Sequence, residues 1–447
     1  MFKKSLILIS LVLISSLLFL TGCGKGLSTG PKKVTMWIMP NSQEPEKDLT
    51  AVLEPFTKAN PNIQVEIVSL DWGSAWQKIT AAATSGTGPD IVQLGSTWVG
   101  MVSSMEALSD LKDNVNKVGG KDIFVPLAWE TSGLVSSNKV TAVPWIVDAR
   151  AMFYRTDVFK KLGLGVKDLD TWESFELALE KIKKANLTIN GIKVDPLGIT
   201  GKNDWNIVHN LAPWIWSGGG NFFTDDYKKG NLAKSDAAKG VAFYIGLTKK
   251  GYVPLSCLEK NSYQISSEFS NGSYAVYFDG PYALKTLTTP SARGGTADLP
   301  VAKNFGVAPY PQGPKGRFTY GGGSTLSLFK YSQNKEAAWK VIEYLTTDPA
   351  AQIAYAKVTG FLPATRKAFE DPYFTSDPQR KVFSESVNFA KNYPCISYWG
   401  ALEMTTLPRR FGLMWSEAMS NVQKFGYKEV LSNMETADKE IDSVLGQ

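Results

Sequence analysis

Segments with a two-residue hydrophobic period alternate along this chain of 447 residues with segments whose period is three to four, and that alternation constrains the fold most. Residues 34–39 read as a strand, and 46–59 as a helix with Leu49, Val52, Leu53 and Phe56 on one stripe. Ile63, Val65 and Ile67 alternate as a strand, 76–84 return to a helix, and 90–94 are strand again. Strand and helix in alternation imply an α/β layer architecture with a largely parallel sheet. The pattern restarts at 151–154, after which Asp170 or Thr171 caps a helix carrying Phe175, Ala178, Leu179 and Ile182. Further stripes occupy 238–245 (closed by Gly251), 338–345 and 437–445. Two such halves predict two lobes, and the lack of a single linker predicts that the chain crosses between them more than once.

Lys3 and Lys4 precede an apolar run over 6–20, relieved only by Ser10, Ser15 and Ser16, which is short for a membrane span and has the order of a secretory signal. It ends Leu20-Thr21-Gly22-Cys23, which resembles a bacterial lipobox. The resemblance implies cleavage after residue 22, a diacylglycerol on Cys23, and anchoring on the extracellular side of the cytoplasmic membrane. Residues 23–33 then form a Gly/Ser/Pro/Lys tether. Loss of 1–22 lowers the formal charge from +6 to +4, and the remaining basic residues are scattered pairs such as Lys183-Lys184, so nucleic acid is not an implied partner. Cys257 and Cys395 are left either as a pair or as buried free thiols. The single His, His209, removes His-based metal clusters, and neither a metal nor a cofactor is implied. Thirteen Trp suggest aromatic-rich cores, or a surface that stacks on something flat.

The stretch Ala142-Val143-Pro144-Trp145-Ile146-Val147-Asp148-Ala149-Arg150-Ala151-Met152-Phe153-Tyr154-Arg155-Thr156-Asp157 resembles the signature of the family 1 extracellular solute-binding proteins, the maltose-binding-protein-like class of ABC importers. Other marks follow in that family's order: Trp37, Ser85-Gly86-Thr87-Gly88-Pro89-Asp90, Thr171-Trp172-Glu173, Asp279-Gly280-Pro281-Tyr282, Gly321-Gly322-Gly323-Ser324 and Gly360-Phe361-Leu362-Pro363. Together they span nearly the whole mature chain. The resemblance implies a two-lobe, periplasmic-binding-protein-like α/β fold with hinge crossings and a central ligand cleft. It also implies a monomer that is not an enzyme, capturing an oligosaccharide and delivering it to an ABC permease. The N-terminal lobe would comprise 34–145 and 306–345, and the C-terminal lobe 146–305 and 346–447, with crossings near 146–148, near 304–308 and after 345.

Sugars present flat CH faces and a rim of hydroxyls, which aromatic rings on one hand and carboxylates, amides or Arg on the other can match. Asp148 falls at the position of a family acid that contacts ligand, with Arg150 following it, or else caps a turn. Asp204-Trp205-Asn206 at a helix mouth fits the family's second-lobe sugar contacts, or is a capping Asp beside a half-buried Trp. Trp145 either lines the cleft or packs the hinge. Tyr282 stands where the family usually has Trp, a smaller platform with an added hydroxyl, and Trp399 matches a late Trp that lines the cleft. Asn41 and Glu44 follow Trp37 on the first-lobe wall, although Glu44 equally suits the first turn of a helix. Trp98 falls at the cleft edge, beyond the strand at 90–94, and Trp214 and Trp216 read as core. A secreted glycan hydrolase would need two carboxylates across the scissile bond, such as Asp148 with Asp204. A polyamine binder would need several acids around an aromatic box, and this wall is more aromatic than anionic. Carbohydrate leads, with xylo- or manno-oligosaccharides as the suggested class.

Overall fold

The computed structural model describes residues 30–446 apart from 203 and 235. The expected leader, Cys23 and most of the tether lie outside the described residues. The strands, in chain order, are β1 Lys32–Ile38, β2 Ile63–Ser69, β3 Ile91–Gly95, β4 Val143–Ala149, β5 Ala151–Arg155, β6 Thr188–Ile189, β7 Ile192–Lys193, β8 Asp195–Gly198, β9 Tyr274–Asp279, β10 Phe305–Ala308, β11 Thr319–Leu328, β12 Leu362–Pro363 and β13 Ala390–Lys391.

Two sheets organise the two lobes. The first runs β12-β4-β11-β3-β1-β2 with β13 against β11, and the second runs β10-β5-β9-β8. β1 pairs in parallel with β2 and β3, but β11 is antiparallel to both β3 and β4. In the second sheet β8 and β9 are parallel, and β5 is antiparallel to β9 and β10. The sheets are therefore mixed rather than largely parallel. The strands that carry the chain between lobes, β5 and β11, run against the helix-connected strands of the sheet they enter.

Arg150 alone separates β4 from β5, so the first crossing lies there and not at 146–148. Residues 146–149 stay in the first sheet, with Val147 opposite both Gly323 and Leu362. Residues 306–308, expected in the N-terminal lobe, pair with β5, and the return crossing falls between β10 and β11. The helix Pro349–Thr359, expected in the C-terminal lobe, packs on the helix Pro45–Ala59, which moves the third crossing beyond Pro363. Hydrophobic period marks which face of a strand is buried, and says nothing about which strand lies beside it.

The helices follow their stripes closely. Pro45–Ala59 buries Leu49, Val52, Leu53 and Phe56. Trp172–Ala185 buries Phe175, Ala178, Leu179 and Ile182 behind a Thr171 cap, whose hydroxyl accepts from the Ser174 N–H at 3.2 Å, a contribution of about 1 kcal/mol. The helix Asn206–Gly218 is different, because every residue after Asn206 is buried. It lies between the helices Ala237–Lys249 and Leu407–Ser420 and also touches β11, so it has no outer face. Cys257 and Cys395 are buried free thiols. No helix among the described residues is long and apolar enough to cross a membrane.

Candidate functional site

The first crossing builds one half of the site. Pairing of β5 with β9 sets Ala151 opposite Asp279, and Asp148, Arg150 and Asp279 are all buried where the lobes meet. Arg150 Nη2 donates to Asn206 Oδ1 at 2.7 Å and Nη1 donates to Asn210 Oδ1 at 3.2 Å, with the guanidinium 5.3 Å from the centre of the Tyr320 ring. Its Nε is 3.8 Å from Asp148 Oδ2, an ion pair too long for a hydrogen bond, and Asp148 Oδ1 has no partner. Burial, only partly offset by Arg150, pushes the Asp148 carboxyl up to about 6. Burial also raises Asp279, whose Oδ1 accepts from Gly280 N–H at 2.8 Å and from the Tyr282 hydroxyl. A Cβ on Gly280 would stand 2.4 Å from Asp148 Oδ1 and 2.5 Å from the Tyr282 ring, so the chain can pass between them only as glycine.

Asp204 acts one step behind this group. Its Oδ1 accepts from Asn206 N–H at 2.9 Å and from Asn206 Nδ2 at 3.1 Å, and its Oδ2 accepts from Ser262 N–H at 2.7 Å and Oγ at 2.8 Å. It thereby fixes the amide that holds Arg150. A cavity of about 10 Å³, room for one water, lies beside Arg150, Asn210, Tyr244 and Asp279, and the Tyr244 hydroxyl has no partner.

The other half is an aromatic wall. Tyr320 and His209 stack at 4.0 Å and 12°, His209 and Tyr393 at 5.5 Å and 25°, and Tyr393 and Trp399 at 4.0 Å and 22°. Trp205, partly exposed at the start of its helix, meets His209 edge-on at 5.1 Å. His209 Nδ1 is 3.0 Å from the Tyr393 hydroxyl, and its Nε2 is 3.0 Å from Glu403 Oε1. Glu403 is fully buried on the π-helical turn Leu402–Thr406. Burial pushes its carboxyl up to about 8, and burial with the nearby Arg150 pushes His209 well below its usual value.

The residues expected at the site divide accordingly. Asp148, Arg150 and Tyr282 converge, with Asp204 and Trp205 joined to them through Asn206 and His209. Trp399 belongs to the wall, yet it is fully buried, with Phe222 and Phe223 edge-on to its ring. Trp145 packs the hinge: it is wholly buried, stacks on Tyr355 at 4.2 Å and 14°, and its carbonyl accepts from Gln352 Nε2 at 2.9 Å. Asn41 is buried beside it, its Nδ2 donating to Gln93 Oε1 at 3.0 Å and to the Tyr355 hydroxyl at 2.9 Å. Trp98 is buried edge-on between Trp72 and Trp76, each at 5.4 Å. Glu44 is exposed and pairs with Lys47 at 2.9 Å, as a helix-start acid does. Sequence reasoning gave no role to His209, Asp279, Tyr320, Tyr393 or Glu403. A lone His four residues after a candidate Trp, on the same helix face, was the available signal. Among the described residues no three His, Cys, Asp or Glu side chains are grouped to hold a metal.

The sequence model of the family described as bacterial extracellular solute-binding protein matches residues 51–382. The chain belongs to this family. This solute-binding protein is 24% identical over 351 residues to a putative binding protein of Brucella abortus, covering 78% of this chain and 80% of the relative. It is 23% identical over 386 residues to a maltotriose-binding protein of Pyrococcus abyssi, covering 85% and 76% of the two chains. It is also 23% identical over 383 residues to a diacetylchitobiose-binding protein of Streptomyces coelicolor, covering 83% and 81%. Among solved structures it resembles a Thermotoga lettingae ABC-transporter solute-binding protein bound with α-D-tagatose, at 21% identity and TM-score 0.77, covering 93% of this chain and 100% of that one. It resembles equally the sugar-binding protein MalE of Xanthomonas citri, at 25% identity and TM-score 0.73, covering 93% and 98%. The two-lobe fold is thus shared with both of these solved structures.

Proposed function

We propose that this solute-binding protein captures an oligosaccharide between its lobes and hands it to the permease of an ABC importer. In this reading it is a monomer that performs no catalysis, tethered outside the cytoplasmic membrane through a lipid on Cys23. One observation carries the reading: at the junction of the lobes, buried acids and Arg150 with unfilled hydrogen-bonding capacity adjoin an aromatic wall. Hydroxyls suit such acids and the guanidinium, and ring CH faces suit aromatics. Asp148, Arg150, Asp204 and Tyr282 supply the polar side, Trp205 the partly exposed platform and Trp399 the wall behind it. Trp98, Trp145 and Asn41 support the first-lobe face from behind, and Glu44 stays in solvent. Relatives named for maltotriose and diacetylchitobiose support an oligosaccharide, and the tagatose-bound relative widens the class to single sugars.

The test is calorimetry against xylo-, manno-, malto- and cello-oligosaccharides, tagatose, mannitol and spermidine. Binding by one sugar series supports the reading. Spermidine as the sole binder would overturn it, because four acids (Asp148, Asp204, Asp279 and Glu403) surround the wall. Reducing-end release from the same oligosaccharides would overturn the non-catalytic part alone.

A further inference from the structure

A tyrosine buried in an aromatic core stabilises less than phenylalanine would, unless something receives its hydroxyl. Tyr244 is such a residue. It sits on the helix Ala237–Lys249 with no exposed surface. Its ring stacks on Trp214 at 5.4 Å and 21° and meets Trp415 edge-on at 5.3 Å, so the two indoles limit where the hydroxyl can point. Among the described residues no group meets that hydroxyl. The residue instead lines the cavity of about 10 Å³ that also touches Arg150, Asn210, Ser262 and Asp279. This cavity lies where the parallel strands β8 and β9 end, at Gly198 and Asp279, and beside the first residue of the helix Ser262–Asn271. The carboxyl ends of parallel strands are where α/β sheets leave room for a bound molecule. Asn210 and Ser262 are already engaged there, with Arg150 and Asp204. Arg150 has capacity to spare, because its Nε–H has no partner.

We propose that this cavity is a built hydration site for one ordered water, which accepts from the Tyr244 hydroxyl and from Arg150 and donates to the Asp279 carboxyl. Charge and size select the occupant. A cation would meet Arg150 and an anion would meet Asp279, so the site suits a neutral molecule that both accepts and donates. A volume of about 10 Å³ admits one water and nothing larger. Water there makes about three hydrogen bonds, the usual number for a buried one. The consequence reaches the junction of the lobes. Asn206, Asn210 and the water together hold the guanidinium from the side of the second lobe, which keeps its charge in place near Asp148 and Asp279. Tyr244, buried away from any solute, is then a positioning residue for Arg150 that acts through one water. Its effect on affinity rests on reading the cleft as a sugar site, whereas the water does not.

The experiment uses the full chain and Tyr244→Phe, which keeps the ring and removes only its oxygen. A hydroxyl bonded to water is missed when it is lost, so the variant melts below wild type. A hydroxyl without a partner is better removed, so a variant that melts as high as wild type or higher overturns the proposal. A high-resolution crystal structure of the wild type shows a single density peak within hydrogen-bonding distance of Tyr244 Oη, Arg150 and Asp279. An empty cavity, or a halide in that place, overturns it. The positioning role is read by calorimetry with the tightest sugar of the panel, which Tyr244→Phe binds about three- to tenfold more weakly. Val241→Ala, a buried truncation on the same helix, melts lower and binds like wild type. Equal affinity in Tyr244→Phe and wild type overturns the positioning role. If no sugar binds the wild type, the sugar reading fails, and the melting shift and the density still decide the water.

Discussion

Arg150, between β4 and β5, and Asp148, near the end of β4, face each other across 3.8 Å, and this neighbouring charge does not offset the cost of burying the carboxyl. The folded carboxyl sits above its ordinary value, so its contribution to stability is full below about pH 4 and is lost as pH rises through about 6. A displacement of that size corresponds to about 3 kcal/mol. Asp148→Asn is expected to flatten this component of the melting temperature between pH 4 and 7.5. An unchanged slope in the variant would remove this account.

Trp145→Ala should cost stability and leave sugar recognition to the residues beyond it. The indole is wholly buried and stacked on Tyr355, so the loss is about 3–5 kcal/mol. Denaturant unfolding measures it. A variant that unfolds like wild type but binds weakly would return Trp145 to the ligand wall.

Trp205→Ala should do the reverse. The ring is partly exposed and touches its own lobe edge-on at His209, so melting stays nearly unchanged while affinity falls by about 1–3 kcal/mol. Calorimetry with the best sugar decides it, and equal affinity in wild type and variant would sink the platform role.

Gly280→Ala inserts a methyl against Asp148 Oδ1 and the Tyr282 ring. Overpacking of this kind costs about 1–3 kcal/mol and turns the carboxyl away from its present position. Both the melting temperature and sugar affinity are expected to drop, and a variant normal in both would show that the approach relaxes freely.

Cys23→Ser should release the protein from the cell envelope into the medium and abolish labelling by a radioactive fatty acid. Continued membrane association of the variant would place the anchor elsewhere. Sugar affinity, a property of residues far along the chain, should not change.

Much of the architecture was readable because it depends on short-range periodicity. The stripe of Leu49, Val52, Leu53 and Phe56 and that of Phe175, Leu179 and Ile182 are buried as their spacing requires. The crossings were displaced because β10 and β11 choose partners more than a hundred residues away, and no local pattern carries that choice. Asp148 and Arg150 drew attention through the ordered motif around the crossing, and the structure places them side by side there. His209 drew none, because its helix is buried all round and displays no stripe. Glu403 was hidden by its backbone: a π-helical turn shifts the register of the side chains after it, and no residue pattern announces one.

The chain passes between the two sheets more than once, the first time with only Arg150 between β4 and β5. A single flexible connection would let each half-site meet the other at an effective concentration set by linker length. More than one passage restricts how far the two halves can separate, which keeps the two walls near each other. The entropy of assembling the two half-sites is then lost once, during folding, and is not subtracted again from the affinity of each capture.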